Sequence, residues 1–190
     1  MPDWTIVVPF KGTASAKSRL GGSAELALAI ALDTVAAALA VAPVIVVTPV
    51  AEPFEELGAA VVADPGSGLL GAISAGLAAA GDGAAGVLLG DVPAVQPAEL
   101  ADALAAAARH PLAFVADADG DGTVLITALQ ASDHAPAFGP GSRALHLAAG
   151  YVELDVPANS GLRRDVDTPE QLAALGTRLG PRTSSSSVNT

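Results

Sequence analysis

Short apolar runs alternate along the chain with longer, alanine-rich apolar segments. The short runs are rich in valine, isoleucine and leucine and are bounded by glycine, proline or aspartate, which is typical of strands. Several are apolar at every position, as in parallel strands that helices cover on both faces. The predicted strands span residues 4–9, 44–48, 59–63, 87–89, 112–115, 124–129 and 151–156.

The longer segments predict helices between these strands. They span residues 25–40, 53–57, 69–80, 97–109, 143–149 and 168–176. Ser23, Ser142 and Thr168 lie at the starts of three of them and are the expected N-cap residues. The first helix is apolar around its circumference apart from Asp33, so we expect other elements to cover most of it. Alternating strands and helices imply right-handed crossovers and a mainly parallel sheet of the α/β class.

The length of 190 residues suits one domain, which we assign to residues 1–180. The tail at residues 181–190 is rich in serine and has little apolar surface, so it is predicted to be disordered. Aspartate, glycine or proline interrupts each long apolar run before it could span a bilayer, and the first residues lack the pattern of a secretory signal. We therefore expect no membrane anchor, and the absence of cysteine fits a reducing, cytoplasmic location.

The net charge of −11 argues against a nucleic-acid partner, because binding to a phosphate backbone requires a basic face. Within this acidic chain, three of the nine basic residues lie in the loop after the first strand, at Lys11, Lys17 and Arg19. Such a loop can still attract a small anion, because at physiological salt the acidic side chains that lie more than about 8 Å away are largely screened. The loop is predicted to bind phosphate groups, and the alternative is that its three side chains are simply solvated.

A glycine-rich loop at residues 64–68 follows the third predicted strand and precedes a helix. The backbone amides of Gly66 and Gly68 could approach a nucleotide closely. A tight turn before the helix explains the same composition, so both interpretations stay open. The loop matches neither a Walker loop nor the dinucleotide-binding glycine pattern.

Acidic residues occur where an α/β sheet binds its ligands. Asp91 follows the strand at residues 87–89, beyond its carboxyl end, and could either act in catalysis or cap a turn. Asp165 and Asp167 lie two positions apart, on one side of an extended segment near the end of the chain. The loop at 117–121 carries three further aspartates but lacks the final glutamate of an EF-hand, so a solvated loop is expected there.

A third glycine-bearing loop, at residues 138–143, runs into the start of a helix whose free amides are predicted to suit an anion. A basic loop, an aspartate after a central strand and a second acidic segment together suit nucleotidyl transfer. That reaction joins two anions, so a divalent cation and positive side chains must offset their repulsion and the charge on departing pyrophosphate. Two carboxylates distant in sequence would hold Mg2+ and leave its other positions to phosphate and water.

Five motifs carry a likeness to a known family. They are Val-Pro-Phe-Lys with Ala-Lys-Ser-Arg-Leu near the start, Gly-Asp-Val-Pro-Ala at 90–94, Ala-Asp-Gly-Asp-Gly-Thr at 118–123, Phe-Gly-Pro-Gly-Ser-Arg at 138–143 and Leu-Arg-Arg-Asp-Val-Asp-Thr-Pro at 162–169. Through these motifs the sequence resembles, over residues 5–180, the guanylyltransferases of deazaflavin coenzyme F420 biosynthesis, which act on phosphoenolpyruvate or 2-phospho-L-lactate. Residues 123–142 look closer to the members that use phosphoenolpyruvate.

The resemblance implies a Rossmann-like, three-layer α/β/α nucleotidyltransferase fold of the glycosyltransferase-A type, with a mainly parallel mixed sheet, GTP as a substrate and Mg2+ as a cofactor. The residues implied to hold the metal are Asp91 and Asp165. Those implied to bind phosphoenolpyruvate are Thr123, Gly139 and Ser142. Those implied to face the GTP triphosphate are Lys11, Lys17 and Arg19. The residues expected to act in catalysis are therefore Lys17, Arg19 and Asp91.

The expected reaction is an in-line attack by a phosphate oxygen of phosphoenolpyruvate on the α-phosphorus of GTP. That oxygen is already ionised at pH 7, so no general base is needed and no role is predicted for His110, His134 or His146. Transfer to 2-phospho-L-lactate or 3-phosphoglycerate stays open, as do a sugar-phosphate or molybdopterin-type nucleotidyltransferase and a non-catalytic nucleotide-binding module. Hand-off of the product to a downstream transferase is also expected, and the sequence is silent on oligomeric state.

Overall fold

A computed structural model describes residues 2–12 and 24–187 of the chain. The strands in this part are β1 (Thr5–Pro9), β2 (Val44–Thr48), β3 (Ala60–Ala63), β4 (Ala85–Leu88), β5 (Leu112–Ala116), β6 (Thr123–Ala128) and β7 (Val152–Glu153). They form one seven-stranded sheet in the order β3-β2-β1-β4-β6-β5-β7. β6 is antiparallel to β4 and β5, and the other neighbouring pairs are parallel. The predicted mainly parallel mixed sheet is confirmed.

Helices connect most of these strands. They are α1 (Ala24–Leu39), α2 (Glu52–Glu55), α3 (Leu69–Ala80), α4 (Pro97–Ala107), α5 (Ser142–Ala148), α6 (Pro169–Leu175) and α7 (Pro181–Ser187). Thr168 caps α6 as predicted, through a capping box with Gln171. The expected cap of the first helix, Ser23, lies outside the described residues. None of the described helices is long and apolar enough to cross a bilayer.

The sheet separates two apolar clusters, because neighbouring residues of a strand point to opposite faces. Ile6 and Val8 of β1 pack on one side in a cluster that includes Leu100 of α4. Val7, between them, packs on the other side in a cluster that includes Ile73 of α3. Helices therefore cover both faces of the sheet, which confirms the predicted three-layer α/β/α arrangement.

The last strand is shorter than the prediction of residues 151–156. β7 consists of Val152 and Glu153, and it pairs along one edge with β5. Leu154 N still donates to Phe114 O at 2.8 Å, but Val156 N turns back to Leu154 O at 3.0 Å. The strand prediction is wrong at this end because a tight turn consumes the backbone groups that would continue the ladder.

The C-terminal residues correct the prediction of a disordered tail for positions 181–187. These residues form α7, which packs on α1 and buries Thr183. Asp33 of α1 accepts hydrogen bonds from Arg182 N at 3.3 Å and Thr183 N at 2.8 Å, and the Arg182 side chain lies 3.4 Å away. A carboxylate at a helix N-terminus satisfies free amides and favours the helix dipole. The composition of residues 181–187 could not predict this cap, because the capping carboxylate belongs to a helix distant in sequence.

We expect Asp33→Ala to loosen α7, because the substitution removes the buried acceptor of both amides. Lost hydrogen bonds to a charged group should cost about 2 kcal/mol, or roughly 4–8 °C in Tm for a chain of this length. Limited trypsin digestion followed by mass spectrometry should then show faster cleavage after Arg182. Asp155→Ala, at an exposed position, is the matched control and should cleave as the wild type does. Equal cleavage of both variants would contradict the role of Asp33.

Candidate active site

The carboxyl ends of the parallel strands form one edge of the sheet, and several predicted site residues follow them. Lys11, Asp91 and Asp117 come after β1, β4 and β5, respectively. β6 runs in the opposite direction, so it begins at this edge with Thr123. The antiparallel strand therefore brings a hydroxyl from the start of one strand to the edge where other strands end, which is the edge where open α/β sheets bind ligands.

Asp91 lies in the turn after β4, where burial and neighbouring carboxylates disfavour its negative charge. Its Oδ1 is buried and has no hydrogen-bond partner in the described part of the chain. Burial, and then the charges of Asp165 and Asp167, raise the pKa of Asp91 to about 7, while a backbone hydrogen bond opposes the shift. A buried carboxylate near other carboxylates is unfavourable unless a cation offsets its charge. The unbonded oxygen and the repulsion both fit a divalent cation.

Asp165 is the second member of this acidic group. Burial is the main cause that raises its pKa to about 6, and the charges of Asp117, Asp167 and Asp119 add to it. Within residues 2–12 and 24–187 there is no group of three or more His, Asp or Glu side chains arranged to hold a metal. Asp91 and Asp165 supply carboxylate oxygens, which are the ligands that Mg2+ prefers, and that ion typically takes one or two carboxylates and completes its shell with water and substrate phosphate.

Hydrogen bonds to backbone carbonyls hold the acidic segment at residues 161–167 next to the sheet edge. Val166 N donates to Asp91 O at 2.9 Å. The guanidinium of Arg163 donates to Asp117 O through Nη2 at 2.7 Å and to Ala116 O through Nε at 3.2 Å. Because the segment is bonded to the ends of both β4 and β5, Asp165 cannot move away from Asp91 without breaking these contacts.

The start of the same segment packs against the loop before α4. Gly161 N donates to Glu99 Oε1 at 2.9 Å, and Glu99 Oε2 accepts from Gln96 N at 3.0 Å. Glu99 is therefore both the capping-box residue of α4 and a tertiary anchor. A Cβ atom at Gly161 would overlap the carbonyl oxygen of Ala94, so only glycine allows the two loops to come this close.

The loop between β5 and β6 is closed by its first aspartate. Asp117 Oδ1 accepts from Gly120 N at 2.6 Å, and Oδ2 accepts from Gly122 N at 2.7 Å. Asp119 and Asp121 are exposed. The prediction of a solvated acidic loop holds for Asp119, whereas the exposed Asp121 also accepts a hydrogen bond from the backbone at the start of α5. Asp117 bonds the backbone and fixes the turn that leads to Thr123.

The start of α5 differs from the prediction of an amide-lined anion site capped by Ser142. Gly141 is the N-cap, and its N–H donates to Asp121 Oδ2 at 2.9 Å. Ser142 N and Arg143 N donate to Gly139 O at 3.0 Å and Asp121 O at 3.1 Å. These amides are already used, so that interpretation is wrong. The Ser142 hydroxyl is buried and lacks a partner among the described residues, which leaves a hydroxyl rather than amides for a ligand.

Thr123 contacts α5 through a histidine for which no role was predicted. His146 is fully buried, and its Nδ1 lies 3.0 Å from Thr123 Oγ1. Ala137 N donates to His146 Nε2 at 3.1 Å. Its ring packs 5.9 Å from Phe114 and 5.1 Å from Tyr151, measured between ring centroids. The helix therefore places Ser142 and His146, four residues apart, on the face that meets the sheet.

The predicted nucleotide-binding residues are only partly described. Lys11 is exposed just after β1, whereas Lys17 and Arg19 lie outside the described residues. Gly66 N donates to Asp64 Oδ1 at 2.9 Å, and Gly66 and Gly68 both have positive φ angles, of 74° and 89°. The glycine loop is a tight turn held by Asp64. No atom of the described residues lies within 4 Å of a Cβ built on either glycine, which leaves room for a ligand to approach the backbone there.

The sequence analysis assigned no role to three residues that help to form this site. The role of Arg163 has no signal in the sequence, because its guanidinium donates to backbone carbonyls that are distant in the chain. Glu99 was visible as the end of a Gln-Pro-Ala-Glu capping box, although its bond to Gly161 was not. His146 carried a usable signal in its spacing from Ser142, which places both on one helical face.

Comparison with known sequences identifies relatives of this chain. Residues 16–152 match the family model for the MobA-like NTP transferase domain. A phosphoenolpyruvate guanylyltransferase from Streptomyces coelicolor is 50% identical over 198 residues, which cover 95% of this chain and 93% of the relative. A phosphoenolpyruvate guanylyltransferase from Thermomonospora curvata is also 50% identical, over 197 residues that cover 95% of this chain and 86% of the relative.

Solved structures agree on the fold. A 2-C-methyl-D-erythritol 4-phosphate cytidylyltransferase from Thermus thermophilus superposes with a TM-score of 0.63 at 19% identity, covering 91% of this chain and 97% of that one. A nucleotidyl transferase from Methanothermobacter superposes with a TM-score of 0.63 at 22% identity, covering 90% and 95%. At this level of identity the likeness extends to the architecture alone.

Proposed function

Because the chain belongs to the phosphoenolpyruvate guanylyltransferases, within the MobA-like NTP transferase family, we propose that it transfers GMP from GTP to phosphoenolpyruvate. The products are enolpyruvoyl-2-diphospho-5'-guanosine and pyrophosphate. One observation carries this proposal: identity of 50% that extends over 95% of the chain. The partly buried pair of carboxylates at the sheet edge is the independent physical support.

Asp91 and Asp165 would hold Mg2+ in this enzyme. The buried, unbonded Oδ1 of Asp91 and the raised pKa values of both carboxyls support the assignment, because a cation would relieve their repulsion. The bound ion would polarise the α-phosphate and offset the charge that collects on departing pyrophosphate. Arg163 and the bond from Val166 N to Asp91 O keep the two carboxylates together.

The chemical step forms one P–O bond and breaks another. A phosphate oxygen of phosphoenolpyruvate attacks the α-phosphorus of GTP, and the bond to the bridging oxygen of pyrophosphate breaks. Because the attacking oxygen is an anion at pH 7, the chain needs to position it and to supply positive charge, and it needs no proton acceptor. Lys17 and Arg19 are the cations that we expect to supply this charge, together with Lys11, which follows the end of β1.

The acceptor would bind between β6 and the start of α5. Thr123 and Ser142 each bring a buried hydroxyl to this region, and the hydroxyl of Ser142 has no partner among the described residues. Gly139 has a φ of 122°, and no described residue lies within 4 Å of a Cβ built there, which would let a ligand approach its backbone. GTP would lie toward the loops after β1 and β3, near Gly66 and Gly68.

The product is a diphosphate diester whose P–O–P anhydride bond is activated for transfer, so we expect a second transferase to consume it. The resemblance to the coenzyme F420 guanylyltransferases suggests that this consumer transfers the activated three-carbon unit in that pathway. A cytoplasmic setting fits the absence of cysteine and the use of GTP. Hand-off between the two enzymes would protect a reactive intermediate.

The reaction is tested by incubating the purified protein with GTP and Mg2+ and offering phosphoenolpyruvate, 2-phospho-L-lactate and 3-phosphoglycerate in turn. We expect pyrophosphate release and a guanylylated product of matching mass with phosphoenolpyruvate. Product from another acid alone would keep the reaction class and change the acceptor. The downstream transferase is added in a parallel reaction, so that inhibition by the product does not hide turnover.

Two controls separate the remaining alternatives. ATP, CTP and UTP in place of GTP test for a different nucleotidyltransferase of the same fold. Calorimetric titration with GTP tests for a module that binds nucleotide without turnover. Binding of GTP without pyrophosphate release from any acid, with the downstream enzyme present, would contradict the proposed activity.

A further inference from the structure

His146 has both ring nitrogens hydrogen-bonded, although it is fully buried among aromatic side chains. Nδ1 lies 3.0 Å from Thr123 Oγ1, and Nε2 lies 3.1 Å from Ala137 N. Phe138 packs against the ring from the loop before α5, at a centroid distance of 5.6 Å. The imidazole is therefore held on several sides and cannot rotate freely.

The backbone decides which nitrogen of His146 carries the hydrogen. The Ala137 N–H can only donate, so Nε2 must present its lone pair to it. A neutral imidazole has one N–H, which is then on Nδ1. The ring is neutral at pH 7, because burial and the neighbouring His134 lower the pKa of His146 to about 4. Nδ1–H consequently donates to Thr123 Oγ1.

This direction fixes what the Thr123 hydroxyl can do. A hydroxyl has one hydrogen to donate and two lone pairs. His146 occupies a lone pair, so the hydroxyl hydrogen is free to point at another acceptor. In the described part of the chain, His146 is the one hydrogen-bond partner that the structure records for Thr123 Oγ1. A nearly buried hydroxyl with an unused hydrogen is poised to donate to a ligand.

We propose that His146 is a positioning residue that holds the Thr123 hydroxyl as a hydrogen-bond donor to a carboxylate or phosphate oxygen of the acceptor substrate. The inference rests on the proposed function, in which Thr123 belongs to the acceptor subsite. Oxygens of a phosphorylated acid accept hydrogen bonds and do not donate them when ionised, so a fixed donor matches this class of substrate.

His134 provides a matched comparison, because it lies in the same aromatic group but has the opposite arrangement. Its Nε2 lies 3.1 Å from Ala85 O, which can only accept, so Nε2 carries the hydrogen. Its Nδ1 lies 3.1 Å from the Tyr151 hydroxyl. His134 therefore bonds the fold and has no bond to Thr123.

The kinetic test compares His146→Asn with His146→Leu. Both side chains branch at Cγ and both remove the acceptor of Ala137 N, but only asparagine keeps an N–H near the position of Nδ1. We expect His146→Leu to raise KM for phosphoenolpyruvate about tenfold, with kcat and KM for GTP nearly unchanged. His146→Asn should stay within about twofold of the wild type in KM for phosphoenolpyruvate.

Two further variants exclude a purely structural effect. Thr123→Val should raise the same KM about tenfold, and adding His146→Leu to it should raise KM no further, because His146 acts through the hydroxyl. His134→Leu should lower Tm while leaving KM for phosphoenolpyruvate unchanged. Circular dichroism checks folding, and if His146→Leu does not fold, Thr123→Val and His146→Asn still carry the comparison.

The tautomer is measured without turnover, by NMR of imidazole nitrogens in 15N-labelled protein at pH 7. We expect the hydrogen of His146 on Nδ1 and that of His134 on Nε2. A hydrogen on Nε2 of His146, or equal KM values in the asparagine and leucine variants, would overturn the role of His146 in an active enzyme. A wild type that turns over none of the three acids would instead contradict the proposed function and the acceptor half of the inference, whatever the tautomer.

Discussion

Asp91→Asn is expected to lower kcat with phosphoenolpyruvate and GTP by at least about a hundredfold. The substitution keeps the size of the side chain but removes a negative charge from the proposed Mg2+ site. Loss of charge stabilisation in the transition state of about 3 kcal/mol corresponds to that factor. The measurement is the initial rate of pyrophosphate release at saturating substrates, and a rate near that of the wild type would remove Asp91 from the mechanism.

Stability separates this loss of activity from misfolding. An aspartate whose pKa rises from 3.8 to about 7 on folding binds a proton more tightly in the folded state, so it destabilises the fold progressively as pH rises from about 4 to 7 and fully above pH 7. Asp91→Asn lacks this penalty. Without metal at pH 8 its Tm should exceed that of the wild type, and added Mg2+ should raise Tm for the wild type much more than for the variant. A lower Tm for metal-free Asp91→Asn would contradict this account.

Gly161→Ala should destabilise the protein more than any surface substitution. The added methyl group would overlap the Ala94 carbonyl and crowd Glu99, whose carboxylate accepts from Gly161 N. Both obstacles are backbone or fixed by the capping box, so they cannot simply rotate away. Overpacking of this kind should cost about 3 kcal/mol, which corresponds to a fall in Tm of roughly 6–12 °C. Thermal unfolding followed by circular dichroism measures it.

Gly83→Ala is the matched control for this substitution. A Cβ built there meets no atom of the described residues within 4 Å, and the residue does not have a positive φ. We expect its Tm to equal that of the wild type or to exceed it by up to about 4 °C, because alanine at an unstrained glycine position stabilises by about 0.4–1 kcal/mol. Similar Tm values for the two variants would show that the loop at residues 161–164 can retreat from Ala94.

The sequence predicts the layers and the sheet because those depend on local patterns. β2 is buried at all five positions, as its continuous Val-Ile-Val-Val-Thr run indicates. The sequence also singles out Asp91 and Asp165, since both lie in short motifs beside glycine or arginine, and their role as metal ligands stays a prediction. These motifs could not predict how far the pKa values of the two carboxyls are raised, because the shift comes mainly from burial, which depends on the whole fold.

The remaining features depend on contacts between distant residues. The composition of residues 181–187 favours disorder, but Asp33 supplies a cap that no neighbouring residue encodes. The free amides expected at the start of α5 are bonded to Asp121 and Gly139. His146 looked unremarkable as a lone histidine, because its importance comes from Ala137 and Thr123, which hold its two nitrogens.

The bond between Asp33 and Thr183 joins residues 150 positions apart, which has a consequence for synthesis on the ribosome. α1 is made early, but the helix that covers part of it is made only after residue 180. A nascent chain must therefore carry a partly uncovered apolar helix and an unbonded Asp33 carboxylate until residues 181–187 leave the exit tunnel. Chains that stall before residue 181 should be bound by chaperones that recognise apolar segments, whereas chains that have completed α7 should be released.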